Sequence, residues 1–281
     1  MANPSGQWRQ DRGSDELSGL TKALIPCGGK GTRMFALTKG AAKELLPIAG
    51  VPLVLRVMEE CVASGAREVL IVSAPGKDDL NETVLAAAGR PGMPERVHVV
   101  TQENPLGLAD AIRLGRDFAA NDTFGVALPD NLFLGDEPAL AQLFRVHERT
   151  RKNVVAIVEL TAANGDRYGP TAIYPGHLKG EEYVIESIPD KGPRHATFDP
   201  KGATSAFTGV GRYVFLPEVF SAIDEVEANL PSGQELDDIP VLQLLLRPGR
   251  LTGCRIRGDF LDVGLPAGYR EADARLALEK R

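Results

Sequence analysis

The sequence predicts an α/β protein with a mostly parallel, mixed central sheet flanked by helices, and a smaller β part toward its C-terminal end. Three observations carry this prediction. Short apolar runs alternate with helical spacing through the first half, over brief connections, as in βα units that cover both faces of a sheet. Several of those runs end in a glycine, amide or carboxylate residue, as strands do when a ligand crevice lies beyond their carboxyl ends. After Leu160 the pattern changes to strands joined by hairpin-like turns.

Ala23, Leu24 and Ile25 make the first buried strand, which runs straight into a glycine turn. Val51 to Ser64 has helical spacing, Glu68 to Ser73 reads as a buried strand, and Asp78 to Gly89 as a second helix. Arg96 to Gln102 forms a third strand, Leu108 to Ala119 a further helix, and Phe124 to Pro129 a strand ending in Asp130-Asn131. The stretch Glu137 to Arg151 is an amphipathic helix behind it, and Val154 to Leu160 closes this core. Gly28, Gln102 and Asp130 each stand just past a strand end, so three ends point at one crevice.

Composition narrows the partners. With 281 residues and 43% apolar content the chain can bury a full core. A net charge of −6 without a basic run argues against a nucleic-acid surface. The apolar runs are too short for a membrane span, and the polar start lacks the apolar core of a signal peptide. Residues 1–20 read as a disordered tail and 21–281 as one domain, whose pattern changes near 160 and divides it into two halves. Cys27, Cys61 and Cys254 are odd in number and scattered, which favours a reducing cytoplasm over a disulfide framework.

The chemistry begins in the stretch Lys22 to Pro47. Gly28, Gly29 and Gly31 let the backbone approach a ligand closely and turn its N–H groups toward an anion. Arg33, Lys39 and Lys43 follow at distances that let each reach the same phosphates. The triphosphate P-loop is excluded because Lys30 is followed by Gly31, and the dinucleotide turn because Met34 stands where its third small residue belongs. What Gly28 to Pro47 resembles is the signature of the sugar-nucleotide pyrophosphorylases, roughly G-G-x-G-T-R-x-x-P-x-T-x-x-x-P-K-x-x-L-P. Within that family it looks most like the bacterial UTP–glucose-1-phosphate uridylyltransferases, with Ala36 and Ala42 in place of two prolines.

The resemblance extends in order along residues 20 to 280 and implies a Rossmann-like nucleotidyltransferase fold. It assigns Gly28, Gly29, Gly31 and Thr32 to the nucleotide, with Gln102 and Gly107 reading a pyrimidine ring. Asp130 and Asp262, each at a strand end, would hold Mg²⁺, for which hard carboxylate oxygens are suited. On the sugar side it points to Tyr168, Gly169, Gly209 and Glu235. Lys191 would grip the sugar phosphate, although the family's E-K-P is altered here to Asp190-Lys191-Gly192-Pro193.

The reaction so implied joins a nucleoside triphosphate to a sugar-1-phosphate and releases pyrophosphate. UTP and glucose-1-phosphate are the expected pair, in a homodimer or homotetramer. Two alternatives stay open: the same reaction with dTTP, GTP or ATP and a modified sugar or cyclitol phosphate, and a catalytically idle sensor of nucleotide or sugar phosphate. An idle relative loses its metal ligands or cations first, whereas Arg33, Lys43, Asp130 and Asp262 are all present.

Overall fold

The computed structural model describes residues 19–29, 31–161, 173–190 and 206–278. Strand β1 (Lys22–Pro26) leads through the glycine turn into a 3₁₀ turn at Thr32–Met34, the short helix α1 (Phe35–Thr38) and a second 3₁₀ turn at Lys43–Leu45. A small hairpin, β2 (Pro47–Ile48) and β3 (Val51–Pro52), precedes α2 (Leu53–Ala63). Then come β4 (Glu68–Ser73), α3 (Asp78–Ala87), β5 (Arg96–Thr101), α4 (Leu108–Arg113) and α5 (Arg116–Ala119). Next are β6 (Phe124–Ala127), β7 (Asn131–Leu134), α6 (Ala139–Thr150), β8 (Asn153–Leu160), β9 (Gly176–Lys179) and β10 (Glu182–Ile185). The chain finishes with β11 (Ala206–Phe215), α7 (Glu218–Ala228), α8 (Asp238–Leu246), β12 (Leu251–Arg255), β13 (Asp259–Asp262) and α9 (Pro266–Leu278).

Among the described residues one nine-stranded sheet has the order β5-β4-β1-β6-β11-β8-β12-β10-β9, and a two-stranded ladder joins β13 to β7. The first four neighbours are parallel; β1, β4 and β6 are continuous apolar runs covered on both faces, and β5 is the partly exposed edge strand. One apolar layer packs Ile25, Val69 and Ile71 with Val57 and Met58 of α2 and Leu140 and Leu143 of α6. The opposite layer packs Leu24, Leu70 and Val126 with Ile112 of α4, Phe220 of α7 and Leu242 of α8.

Two differences from the sequence reading have physical causes. Val154 to Leu160 does not lie next to the first-half strands as its place in the chain suggests, because β11 inserts between β6 and β8, antiparallel to both, within the expected mixed sheet. The stretch from Leu108 to Ala119 is two helices, since Gly115 interrupts it and weakens its propensity to continue.

Candidate active site

Four adjacent parallel strands deliver the site from their carboxyl ends: Gln102 after β5, Lys77 beyond β4, Gly28 after β1 and Asp130 after β6. Gly28 lets the loop and Gln102 come together, since a Cβ there would lie 2.3 Å from the amide oxygen of Gln102 and push that side chain aside. Gly31 adopts the left-handed region (φ +62°). Gly29 has open space on its Cβ side. Lys30 and the side chain of Thr32 lie outside what is described.

The cations of the loop take different positions. Arg33 and Lys39 are exposed, whereas Lys43 is drawn inward, its Nζ 2.7 Å from Asp130 Oδ2. Burial would lower the Lys43 pKa, but attraction and hydrogen bonding to Asp130 outweigh it and raise the net value. Burial likewise works against the Asp130 carboxylate, yet Lys43, Arg33 and a bond from Asn131 hold it below the usual carboxylate range. Cys27 is buried and its thiol is pushed well up, which leaves it without thiolate chemistry.

Asp262 approaches Asp130 from the ladder of β13 on β7, where it pairs with Asn131. The backbone ties the two ends together through Val263 N donating to Asp130 O at 2.9 Å. Both carboxylates face one point: a Cβ on Gly264 would lie 3.0 Å from Asp262 Oδ1 and 3.3 Å from Asp130 Oδ2. Burial, then repulsion from Asp130, raises the Asp262 carboxyl to about 6. Two half-buried carboxylates facing each other, with a neighbouring glycine that leaves room, suit a small hard cation that also takes phosphate oxygens. Among the described residues no cluster of three or more metal-binding side chains exists, so a cation here would need its remaining ligands from substrate and water.

On the other side of Gly28, Gln102 is buried and Gly107 takes φ +116°. The close approach at Gly107 is made by the chain itself, since a Cβ would meet Leu236 O at 2.3 Å. Leu236 N donates to Leu106 O at 2.6 Å, and Leu236 O accepts from Ala109 N at 3.0 Å. These bonds stitch the segment carrying exposed Glu235 to the predicted base-reading loop. Gly209 sits in β11 opposite Ile157, with the Tyr174 ring 3.0 Å from where its Cβ would lie. Tyr168, Gly169 and Lys191 lie outside the described residues.

Three groups escaped the sequence reading. Lys77 donates to the carbonyls of Cys27 and Gly29 (3.0 Å for the latter) and to Glu44 Oε2 at 3.0 Å, so it clamps the glycine loop from below. Its signal was available, because β4 is a fourth strand whose carboxyl end opens on the crevice. Asp110 and Arg113 stand behind Gln102, and Arg212 with Glu60 lies beneath Asp130. Lys77→Met should leave the fully buried Glu44 carboxylate unpaired, costing about 3–5 kcal/mol. Amide exchange at 27–29 should quicken beyond that global loss, and exchange unchanged relative to the core would refute the clamp.

A glycine backbone facing a cation and opposed carboxylates, at the strand ends of a doubly covered sheet, defines an α/β protein that handles phosphorylated ligands. The chain belongs to the nucleotidyl transferase family, whose model matches residues 22–279. It is 28% identical to the UTP–glucose-1-phosphate uridylyltransferase of Bacillus subtilis over 280 residues, covering 93% of this chain and 92% of that one. The enzyme of the same name from Staphylococcus epidermidis is 28% identical over 278 residues, with 92% and 93% covered. In fold it is similar to a UDP-glucose pyrophosphorylase complexed with UDP-glucose (TM-score 0.77, 24% identity, 91% of this chain and 98% of that). A UTP-bound UGPase from Acinetobacter baumannii is similar too (TM-score 0.75, 22% identity, 92% and 94% covered).

Proposed function

We propose that this nucleotidyltransferase joins UTP to a sugar-1-phosphate, with glucose-1-phosphate as the expected sugar, and releases pyrophosphate. The observation that carries the reading is the gathering of Gly28, Gln102 and Asp130 at the carboxyl ends of β1, β5 and β6, with Asp262 brought to Asp130 by the β13–β7 ladder and Lys43 bonded to Asp130. The names of the relatives supply the substrate pair.

An oxygen of the sugar phosphate attacks the α-phosphorus in line, the α–β bridging bond breaks, and pyrophosphate leaves. A phosphate monoester is already an anion at neutral pH, so the chain need supply no general base, only position and positive charge. Backbone N–H groups of the glycine loop and the Arg33 guanidinium receive the β- and γ-phosphates. Lys43, half-buried and held charged by Asp130, neutralises charge at the α-phosphate, and Lys191 is assigned to the sugar phosphate. Asp130 and Asp262 would hold Mg²⁺, which supplies positive charge to the phosphate oxygens when bound. Gln102 and Gly107 meet the base; Tyr168, Gly169, Gly209 and Glu235 are the sugar-side candidates. The nucleotide half, about 21–160, and the sugar half, about 161–281, form one domain in this reading, and the working assembly is a cytoplasmic homodimer or homotetramer. No helix among the described residues is long and apolar enough to cross a membrane.

The test is a matrix of five nucleoside triphosphates against a panel of sugar-1-phosphates, read by pyrophosphate release. UTP or dTTP should exceed ATP and GTP by at least about tenfold in kcat/KM, roughly 1.4 kcal/mol, and Gln102→Ala should compress that ratio. A purine preference would overturn the base assignment.

A further inference from the structure

An amide side chain can show a ligand either its oxygen or its nitrogen, and the two ends ask for opposite partners. Gln102 has that choice removed. Its Nε2 donates to Asp110 Oδ2 at 2.7 Å and to Gly107 O at 3.2 Å, which uses both of its hydrogens. Both partners are pure acceptors. Rotating the amide by half a turn would set its oxygen against a carboxylate and a carbonyl at contact distance, with the carboxamide hydrogens left unpaired in a buried site.

Asp110 is itself held. Its other oxygen, Oδ1, takes a fork from Arg113, Nη2 at 2.6 Å and Nε at 3.2 Å, across one turn of α4. Arg113 in turn faces Glu227 of α7 at 3.8 Å. The Asp110 backbone is anchored as well, its N–H reaching Leu236 O at 3.3 Å. Asp110 and Gln102 are buried, 3% and 5% exposed, so water competes little for these bonds.

What remains of Gln102 is its oxygen, which lies against the Cβ side of Gly28, on the glycine-loop wall of the crevice. An acceptor fixed in that place pairs with a ring N–H. Uracil and thymine carry one at N3; cytosine carries a lone pair there and would meet the oxygen acceptor to acceptor. We infer that Asp110 and Arg113 are positioning residues that lock Gln102 oxygen-outward, and that this lock makes the site select keto pyrimidines over cytosine. The inference rests on the base-reading role proposed for Gln102 and adds the reason for its polarity.

Asp110→Asn weakens the lock while keeping the side-chain shape: with its oxygen kept on Arg113, the asparagine turns an amide nitrogen toward Gln102 and opposes the oxygen-outward orientation, which leaves Gly107 O alone to hold it. Pyrophosphate release with glucose-1-phosphate is measured for wild type and variant with UTP and with CTP. Wild type should favour UTP by about 100-fold or more in kcat/KM, and Asp110→Asn should lower that ratio at least about tenfold, with CTP turnover rising in absolute terms. A loss of packing alone would depress both nucleotides together and leave the ratio standing, which would overturn the lock. Arg113→Gln, at a side chain one-third exposed, provides a variant that should fold if Asp110→Asn does not. It should move the ratio the same way by a smaller factor, and an unchanged ratio in it would also count against the lock. A wild-type enzyme that prefers purines would instead remove the base-reading role itself.

Discussion

Asp130→Ala and Asp262→Ala should each lower kcat/KM by roughly 10²–10⁴-fold, about 3–5 kcal/mol of barrier, measured by pyrophosphate release at saturating Mg²⁺. The two losses should not add, because the carboxylates face one point and act as one unit on the phosphates. Asp262→Asn separates this from a folding defect. It removes one of two facing carboxylates that repel each other, so the metal-free variant should be at least as stable as wild type, by on the order of 1 kcal/mol, while remaining inactive. A chelator should abolish wild-type turnover and leave the residual activity of the variants almost unchanged. Near-normal rates in either alanine variant would remove the metal assignment.

The second large effect is on stability. Glu60→Ala should cost about 3–5 kcal/mol, a fall in Tm of roughly 10 °C by thermal unfolding. Arg212 is fully buried; it meets both oxygens of Glu60, at 2.7 Å for the shortest contact, and donates to the carbonyls of Leu128 (2.9 Å) and Asn131 (2.8 Å). It emerges at a bulge in β11 between Val210 and Tyr213, which aims the guanidinium beneath the turn that carries Asp130. Removing the glutamate strands that charge in the core. Replacing both partners by methionine should recover most of the Tm, yet still lower activity, because the Leu128 and Asn131 carbonyls lose the donor that fixes the Asp130 turn. A Glu60→Ala protein that melts with wild type would show that the pair contributes nothing net.

How much of this was legible follows from how each residue appears along the chain. Strands buried on both faces read as unbroken apolar runs, so β1, β4 and β6 could be placed from sequence, and β5 from the alternation of a half-exposed edge strand, with the crevice at their ends. Glycines 28 and 31 and the aspartates at strand ends stand out because their residue types are unusual there. The insertion of β11 between β6 and β8 could not be read, because antiparallel pairing is decided by contacts far apart in the chain and leaves no local period. Glu60 and Asp110 each lie in a helix, where a carboxylate normally marks the solvent face. Arg212 in a strand and Lys77 in a turn are equally ordinary until their partners are seen. Their roles are set by the buried group opposite, which spacing along the chain does not reveal.

The central claim, transfer of a uridylyl group to a sugar phosphate at the Asp130 end of the sheet, is tested most directly by following phosphorus NMR of the protein with UTP, glucose-1-phosphate and Mg²⁺. The account predicts UDP-glucose and pyrophosphate appearing in equal amounts, dependent on both substrates and absent with Asp130→Ala. Release of inorganic phosphate with UDP, or UTP consumption independent of the sugar phosphate, would contradict it.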